Sequence, residues 1–600
     1  MTKGYCLVLQ AGTGQLAWEI ATRSEFRVIC REEDPVKVAA MRKALLETGL
    51  YGQQIEVHAG DDRTLPYPRY FANLIVSERT LTEGASLPPV GQVLRVLRPC
   101  GGVADLAARA GTTARQQLDA WGAPLPEWRV RDGDVAHGTA RRGKLPGSGE
   151  WTHFYADPSN TACSGDDIRP VPMTLQWFGR PGPAPMVDRH KKGPAPLYLD
   201  GRLFVPGFDY VAGVDAYNGF VLWERRIPGS VRVGAFKDSS NLAATGAFLL
   251  VAAGDSCLVL DAQTGETRRT IPAVGSPPQK AWGYLATVEG LVFGSVARPG
   301  GSMRAMGEAE NRIIWRNEQP VVCSSSLFAV ELETGRRVWE YAAQSGAIPN
   351  PSFAIGHGRI YFVESRNPGT LETPDGRNNI PSLVGQGAKL VALDLKTGAP
   401  LWVRDVDLTS FKHILYASYA GETVVLTGTR YAKVDAAETK GRTKPEQLTR
   451  VRYDLVAFDA RSGDPKWKTV ATPNYDEILD GGHGEQVQHP SIVGDLLYGP
   501  DFAFHVSTGR PYEGWKWKKS HKCATLSTSR YCAFSRFATA KLPYLFDLAT
   551  GKQTPLSLAT RPGCWINTLP VGGLILIPEA SAGCTCEYPI QTSLALIPEE

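Results

Sequence analysis

Residues 393–402 read Leu393-Asp394-Leu395-Lys396-Thr397-Gly398-Ala399-Pro400-Leu401-Trp402, and this stretch recurs along the chain. An apolar run ends at an Asp whose carboxylate can accept from the backbone N–H groups just ahead. A Gly then supplies the positive φ that a tight turn needs. Further copies are Val214–Gly219, Leu260–Gly265, Val330–Gly335 and Phe458–Gly463, with weaker ones at Phe504–Gly509 and Phe546–Gly551. Four copies place a Trp four residues after the Gly: Trp223, Trp339, Trp402 and Trp467. A large ring at a fixed offset suits the docking of one sheet on the next.

Upstream of the turns lie strand pairs, such as residues 196–205, 355–361 and 492–498, so one unit is four strands. The turn glycines are spaced by 46, 70, 63, 65, 46 and 42 residues. The short spacings fit a blade of roughly 40–50 residues, and the long ones mark loop insertions. An eighth unit assembles from residues 565–578 and 592–597, and a strand at 173–178 is expected to pair there and close the ring. The expected fold is an all-β propeller of eight blades, with seven as the alternative. The repeats resemble the PQQ-like propeller family, whose A-x-D-x-x-T-G-x-x-x-W motif they echo over about two-thirds of the chain. Quinoprotein members of that family hold PQQ and calcium, with a catalytic Asp and a disulfide of adjacent cysteines. This sequence has no Cys-Cys pair, only Cys584-Thr585-Cys586, and no positions match the calcium ligands, so PQQ is not expected. Members resembling the outer-membrane assembly lipoprotein bind protein partners without a cofactor.

The N-terminal part follows a different period. Residues 5–9 form a short apolar run, followed by Gln10-Ala11-Gly12-Thr13-Gly14, a helical segment to Ser24, and a second run from Phe26 that ends in Glu32-Glu33-Asp34. Pro35 then opens a helix at its first turn. This is the order of the nucleotide-binding half of a doubly wound sheet, in which glycines let backbone approach a ligand and an acid meets the ribose hydroxyls. Residues 54–58 with Gly60-Asp61, residues 71–77, and a helix at 90–97 leading to Arg98-Pro99-Cys100-Gly101-Gly102 extend the pattern. Together they resemble the class I S-adenosylmethionine-dependent methyltransferases. The resemblance implies S-adenosylmethionine as cofactor, with Gly12 and Gly14 in the loop, Glu32 on the ribose and Asp61 on the adenine. The sequence departs from that family at Gln10, which stands for an acid, at Leu16, which stands for a third glycine, and at Asn73, which stands for an Asp of strand four.

The expected organisation is a Rossmann-like domain over 1–141, a Gly-, Pro- and Ser-rich linker over 142–170, and the propeller over 171–600. A formal net charge of +4 gives no electrostatic reason for a nucleic-acid partner. No stretch approaches the ~20 apolar residues of a membrane span. Residues 1–9 lack the apolar core of a signal peptide, which points to the cytoplasm. Five of the eleven cysteines fall between Cys523 and Cys586. Cys523, Cys564, Cys584 and Cys586 read first as disulfides, which would place the chain, or a longer exported precursor of it, in an oxidising compartment. With His521 they are also candidate metal ligands, although the Cys-x2-Cys spacing of zinc sites is missing. Cys532 reads as a packing residue. His413, His483, His489 and His505 are expected to be surface or hydrogen-bonded residues. The run Trp515-Lys516-Trp517-Lys518-Lys519 reads as an exposed strand. Two functions follow: a methyltransferase-like domain acting on a substrate or partner that the propeller recruits, or a non-enzymatic scaffold with a degenerate Rossmann module. Either way, a protein or small-molecule ligand is expected at the propeller face.

Overall fold

The computed structural model describes residues 2–599 apart from 110–112, 126, 189–190, 276–279, 303–319, 434–447, 473–475, 479–487, 516, 518–524, 537–542, 558–559, 561 and 579–589. The chain forms two compact units. The first comprises Met1–Pro146, Leu175–Phe178 and Val214–Leu222, and the second Gly147–Thr174, Gly179–Gly213 and Trp223–Glu600.

In the first unit, strands β1 (Lys3–Leu9), β2 (Glu25–Glu32), β3 (Ile55–Ala59), β4 (Leu74–Ser77), β5 (Val103–Arg109), β6 (Arg129–Arg131) and β7 (Val135–Arg141) form one sheet in the order β3-β2-β1-β4-β5-β7-β6. The first five strands are parallel, and β7 runs antiparallel to β5. This is the Rossmann-like, mostly parallel sheet that the sequence pattern implies, and its nearly unbroken apolar β1 fits a strand covered on both faces. Helices α1 (Gln15–Thr22) and α2 (Pro35–Glu47) precede and follow β2. Asp34 caps α2 by accepting from the N–H groups of Val36 and Lys37, with Pro35 at the first position.

The remaining sheets form an eight-bladed propeller, seven of them four-stranded or larger and one, at Ser491–His505, with three described strands. The last sheet combines Leu569–Val571, Leu574–Ile577, Ser593–Pro598 and the early strand Met173–Gly179, which closes the ring between the two ends of the array. Each core lies between neighbouring sheets. Tyr284, Phe293, Leu327 and Trp339 of the third blade, for example, interlock with Ile355, Ile360, Phe362 and Val391 of the fourth.

The repeat turn carries these joints. Asp394 accepts from the N–H groups of Lys396 and Thr397 and from the Thr397 hydroxyl. These bonds, the hydroxyl's first, hold its carboxyl below the ordinary carboxylate range. Gly398 has φ +69°, and a Cβ there would lie 2.5 Å from Trp339 of the preceding blade. The Trp339 indole N–H donates to the Leu395 carbonyl at 3.0 Å. Trp223, Trp402 and Trp467 repeat this arrangement, donating to Ala262, Ala460 and Val506 while covering Gly265, Gly463 and Gly509. Trp177 makes the same bond to Ala216 over Gly219, a joint the repeat pattern did not reveal because no turn motif precedes it. Between blades two and three Arg269 takes the Trp's place and donates to Thr334.

Two expectations are revised. Of residues 142–170, expected to form a linker, 147–170 lie in the propeller's own unit and are hydrogen-bonded to its blades. Trp515 and Trp517 are buried, packing with Tyr498 and Tyr544, so these two residues are not exposed as expected. Their indole N–H groups donate to Gly499 and to the Tyr544 hydroxyl, which satisfies them inside the core.

Candidate functional site

The glycine loop between β1 and α1 is shaped by the protein's own carboxylates. The Gly12 N–H donates to Glu32 Oε2, and the Thr13 N–H and hydroxyl donate to Glu78 Oε1, at 2.9, 2.9 and 2.7 Å. The Leu16 N–H, in the first turn of α1, donates to Glu78 Oε2 at 2.9 Å. Gly14 is the helix N-cap and has no side chain to offer, so Glu78 does the capping from the far end of β4. The glycines serve the same packing. A Cβ on Gly12 would meet Glu78 at 3.0 Å, and one on Gly14 would meet Met41 at 2.7 Å.

Glu32 stands where the family places its ribose acid, at the end of β2. Its side chain is completely buried. Besides Gly12 it accepts from the Asp34 N–H, and the Arg79 guanidinium lies on it at 3.1 Å. Arg79 also reaches Glu33 at 3.5 Å and Glu83 at 3.0 Å, so it bridges three carboxylates across the mouth of the loop. Asp61 follows β3 and turns to Arg63, accepting from its backbone N–H and its guanidinium at 2.6–2.9 Å. Those bonds hold its carboxyl below the usual range. Asp62 is buried, and desolvation pushes its carboxyl up to about 7, with Arg31 opposing and Glu32, Glu33 and Asp61 adding to the rise.

An open cleft of about 260 Å³ lies here, lined by Gln10, Arg31, Asp61, Asp62, Arg63 and Arg79 among others. The structure thus gathers Gly12, Gly14, Glu32 and Asp61 at the carboxyl ends of β1 to β3, the place where such sheets bind ligands. A ribose and a methionine carboxylate need a free acid and free loop donors. Glu32 is buried beneath Arg79, and the loop donors already have acceptors, so these side chains as placed do not fit S-adenosylmethionine. Glu78 and Arg79 were missed in the sequence. Their signal was position, since they directly follow Ser77 at the end of the strand that pairs with β1. Asn73 is structural: it accepts from the Tyr5 N–H and donates to Asp215 within the same unit, where Asp215 also pairs with buried Arg98 at 2.8 Å.

In the propeller, His489 is buried and stacks on Tyr155 at 3.6 Å. His413 is buried beside Tyr431, and His505 pairs with Asp495 at the surface. His483 lies outside the described residues, as do His521, Cys523, Cys584 and Cys586. Cys564 is buried beside Trp565, and Cys532 packs with Phe534 and Leu545. Among the described residues no group of three or more His, Cys, Asp or Glu is arranged to hold a metal ion. None of the described helices is long and apolar enough to cross a membrane.

Burial lowers the imidazoles of His153 and His413 to about 4 and that of His489 to about 3. A base whose folded pKa lies below its unfolded value of ~6.5 stabilises the fold above that pH and loses the contribution as pH falls toward the folded value. Down to pH 4 each of the three costs on the order of 3 kcal/mol, at ~1.4 kcal/mol per pH unit. Asp157, raised to about 6 by burial, works the other way and returns a similar amount between pH 6 and 4. The balance is negative, so the propeller's melting temperature should fall steadily from pH 7 to pH 4. A temperature that stays level or rises over that range would contradict this.

A family model described as outer membrane protein assembly factor BamB matches residues 174–512. No curated protein sequence matches the chain. Among solved structures, BamB from Moraxella catarrhalis is 12% identical and covers 58% of this chain and 77% of its own, with a TM-score of 0.32. A SAM-dependent methyltransferase from Aquifex aeolicus is 15% identical over 24% of this chain and 84% of its own, with a TM-score of 0.20. Kluyveromyces lactis Hsv2p, 8% identical, covers 58% of this chain and 89% of its own, with a TM-score of 0.31. The match to the family model spans more than half of the sequence and contains six of the seven repeat turns, so the chain belongs to the family of the outer membrane protein assembly factor BamB.

Proposed function

We propose that this chain is a binding protein whose propeller recognises a protein partner, and whose methyltransferase-like module folds without a cofactor. The observation that carries the reading is Glu78. Its carboxylate holds two backbone N–H groups at the start of α1, and Glu32 holds a third beneath Arg79. A cofactor would have to displace a buried ion pair and an internal cap before making its first hydrogen bond. The name of the family, an assembly factor for outer membrane proteins, favours protein as the class of partner.

Calorimetry of the full chain with S-adenosylmethionine and S-adenosylhomocysteine tests the reading. No binding heat is expected at millimolar ligand. Binding that is lost in Glu32→Ala and Asp61→Ala would overturn it in favour of a cofactor-dependent transferase.

A further inference from the structure

The stretch at 147–170 follows a path that a connecting segment does not need. Trp151 exchanges two backbone hydrogen bonds with Tyr198 of the first blade, and Thr152 accepts from the Ala244 N–H of the second. His153 Nε2 accepts from Thr287 of the third. Pro158, Ser159, Thr161 and Ala162 then accept, in turn, from Ile355, Tyr419, Ile492 and Thr528, one residue on the innermost strand or first bridge of blades four to seven. Both ends of the circuit meet the eighth blade. The Gly149 carbonyl accepts from Gly572, and Asp166 Oδ2 accepts from Gly573 and from Gly149 itself. In about a dozen residues the chain visits all eight blades in ring order.

So tight a circle bends the backbone. Ala156, Asn160 and Ala162 have φ of 72°, 59° and 52°, and a non-glycine residue there costs on the order of 1 kcal/mol. The strain is held by side chains as well as backbone. Asn160 donates to both Phe353 and Ala417, and Ser159 donates to Ile355. Trp151 is fully buried.

The contacts also fix which end of the ring is closed. They fall near the turn that follows each innermost strand, at Ala244 before Gly246, Tyr419 before Gly421 and Gly573 itself. In a four-stranded meander this first turn lies at the same end as the third, which is the Asp-x-x-Thr-Gly turn of the repeat. Connections between blades, such as those carrying Phe236, Asn350 and Trp565, lie at the other end. Between the two, Tyr155 forms a floor with His489 stacked on it, and a cavity of only about 30 Å³ separates the circuit from Phe236, Asp238 and Asn350.

We propose that residues 147–166 are an internal hub that locks the eight blades together and seals the propeller axis at the repeat-turn end. The repeat-turn end of the axis is therefore sealed, and a partner that approaches the axis does so from the face of the inter-blade connections. This inference does not depend on whether the N-terminal module binds a cofactor.

The test uses the full chain with specific protease sites inserted in two exposed stretches, at 143–146 and between Pro170 and Val171. After both cuts the peptide spanning the hub should stay with the propeller through gel filtration and separate only in denaturant. In Asn160→Ala it should be lost faster, because two buried carbonyls lose their donor. Release of the peptide from a propeller that keeps its melting temperature would overturn the proposal. Hydrogen exchange on the unmodified chain gives a second measurement. The Ala244, Ile355, Tyr419, Ile492 and Thr528 amides should exchange only with opening of the whole ring, and exchange at loop rates would also overturn it.

Discussion

Glu78→Ala should lower the stability of the first unit by about 2–3 kcal/mol and leave it partly rescued by added acetate. The substitution strips the acceptor from the Thr13 and Leu16 N–H groups and from the Thr13 hydroxyl. Each orphaned, part-buried donor costs on the order of 1 kcal/mol, less where water can enter. The loss of a negative charge at the start of α1 adds a few tenths of a kcal/mol more. Gly14 cannot compensate, having no side chain. Acetate carries the missing carboxylate at the size of the hole, so tens of millimolar should return part of the lost melting temperature, while chloride at equal ionic strength should not. Glu78→Gln keeps the shape with one good acceptor and should fall between the two. If Glu78→Ala melts like the parent protein, the carboxylate is not holding the loop, and the argument against a cofactor in that loop falls with it.

The propeller was legible because its information is local and repeated. A strand, an Asp-capped turn, a positive-φ Gly and a Trp lie within ten residues, so one reading of 393–402 could be checked against six other copies. Ring closure by 173–178 could be anticipated because an eighth set of strands lacked a partner. The hub was not legible, since its pairing is non-local: residue 162 meets residue 528, and nothing in a Gly-, Pro- and Ser-rich stretch distinguishes a strained circuit from a tether. The same limit applies to the cleft. Gly12, Gly14, Glu32 and Asp61 could be placed together from the order of the Rossmann elements. Whether they face a ligand or the protein itself depended on Glu78 and Arg79, brought in from another strand 65 and 47 residues away from Thr13 and Glu32. Trp515 and Trp517 misled for a related reason. Alternation with lysine suggests an exposed strand, yet each indole found a hydrogen-bond acceptor in the core.

The joint between blades three and four should show a large energetic coupling. Trp339→Ala removes a mostly buried indole and its bond to Leu395, a change of the class that costs about 3–5 kcal/mol. Gly398→Ala places a Cβ 2.5 Å from that same indole at φ +69°, so it carries both a clash and the ~1–2 kcal/mol of a left-handed backbone. In the double variant the clash disappears, because the hole left by the indole takes the new methyl group. Only the backbone term should remain for the second substitution. The two costs should therefore be less than additive by roughly 1–3 kcal/mol, read from the calorimetric transition of the propeller rather than of the whole chain. Simple additivity would mean that the glycine is required by its turn alone and that the Trp packs without reference to it. The same cycle on Trp402 and Gly463, where a Cβ would lie 2.6 Å from the ring, should give a coupling of the same sign. At the Arg269–Gly335 joint the nearest atom is 3.5 Å away on a flexible side chain, so the coupling there should vanish.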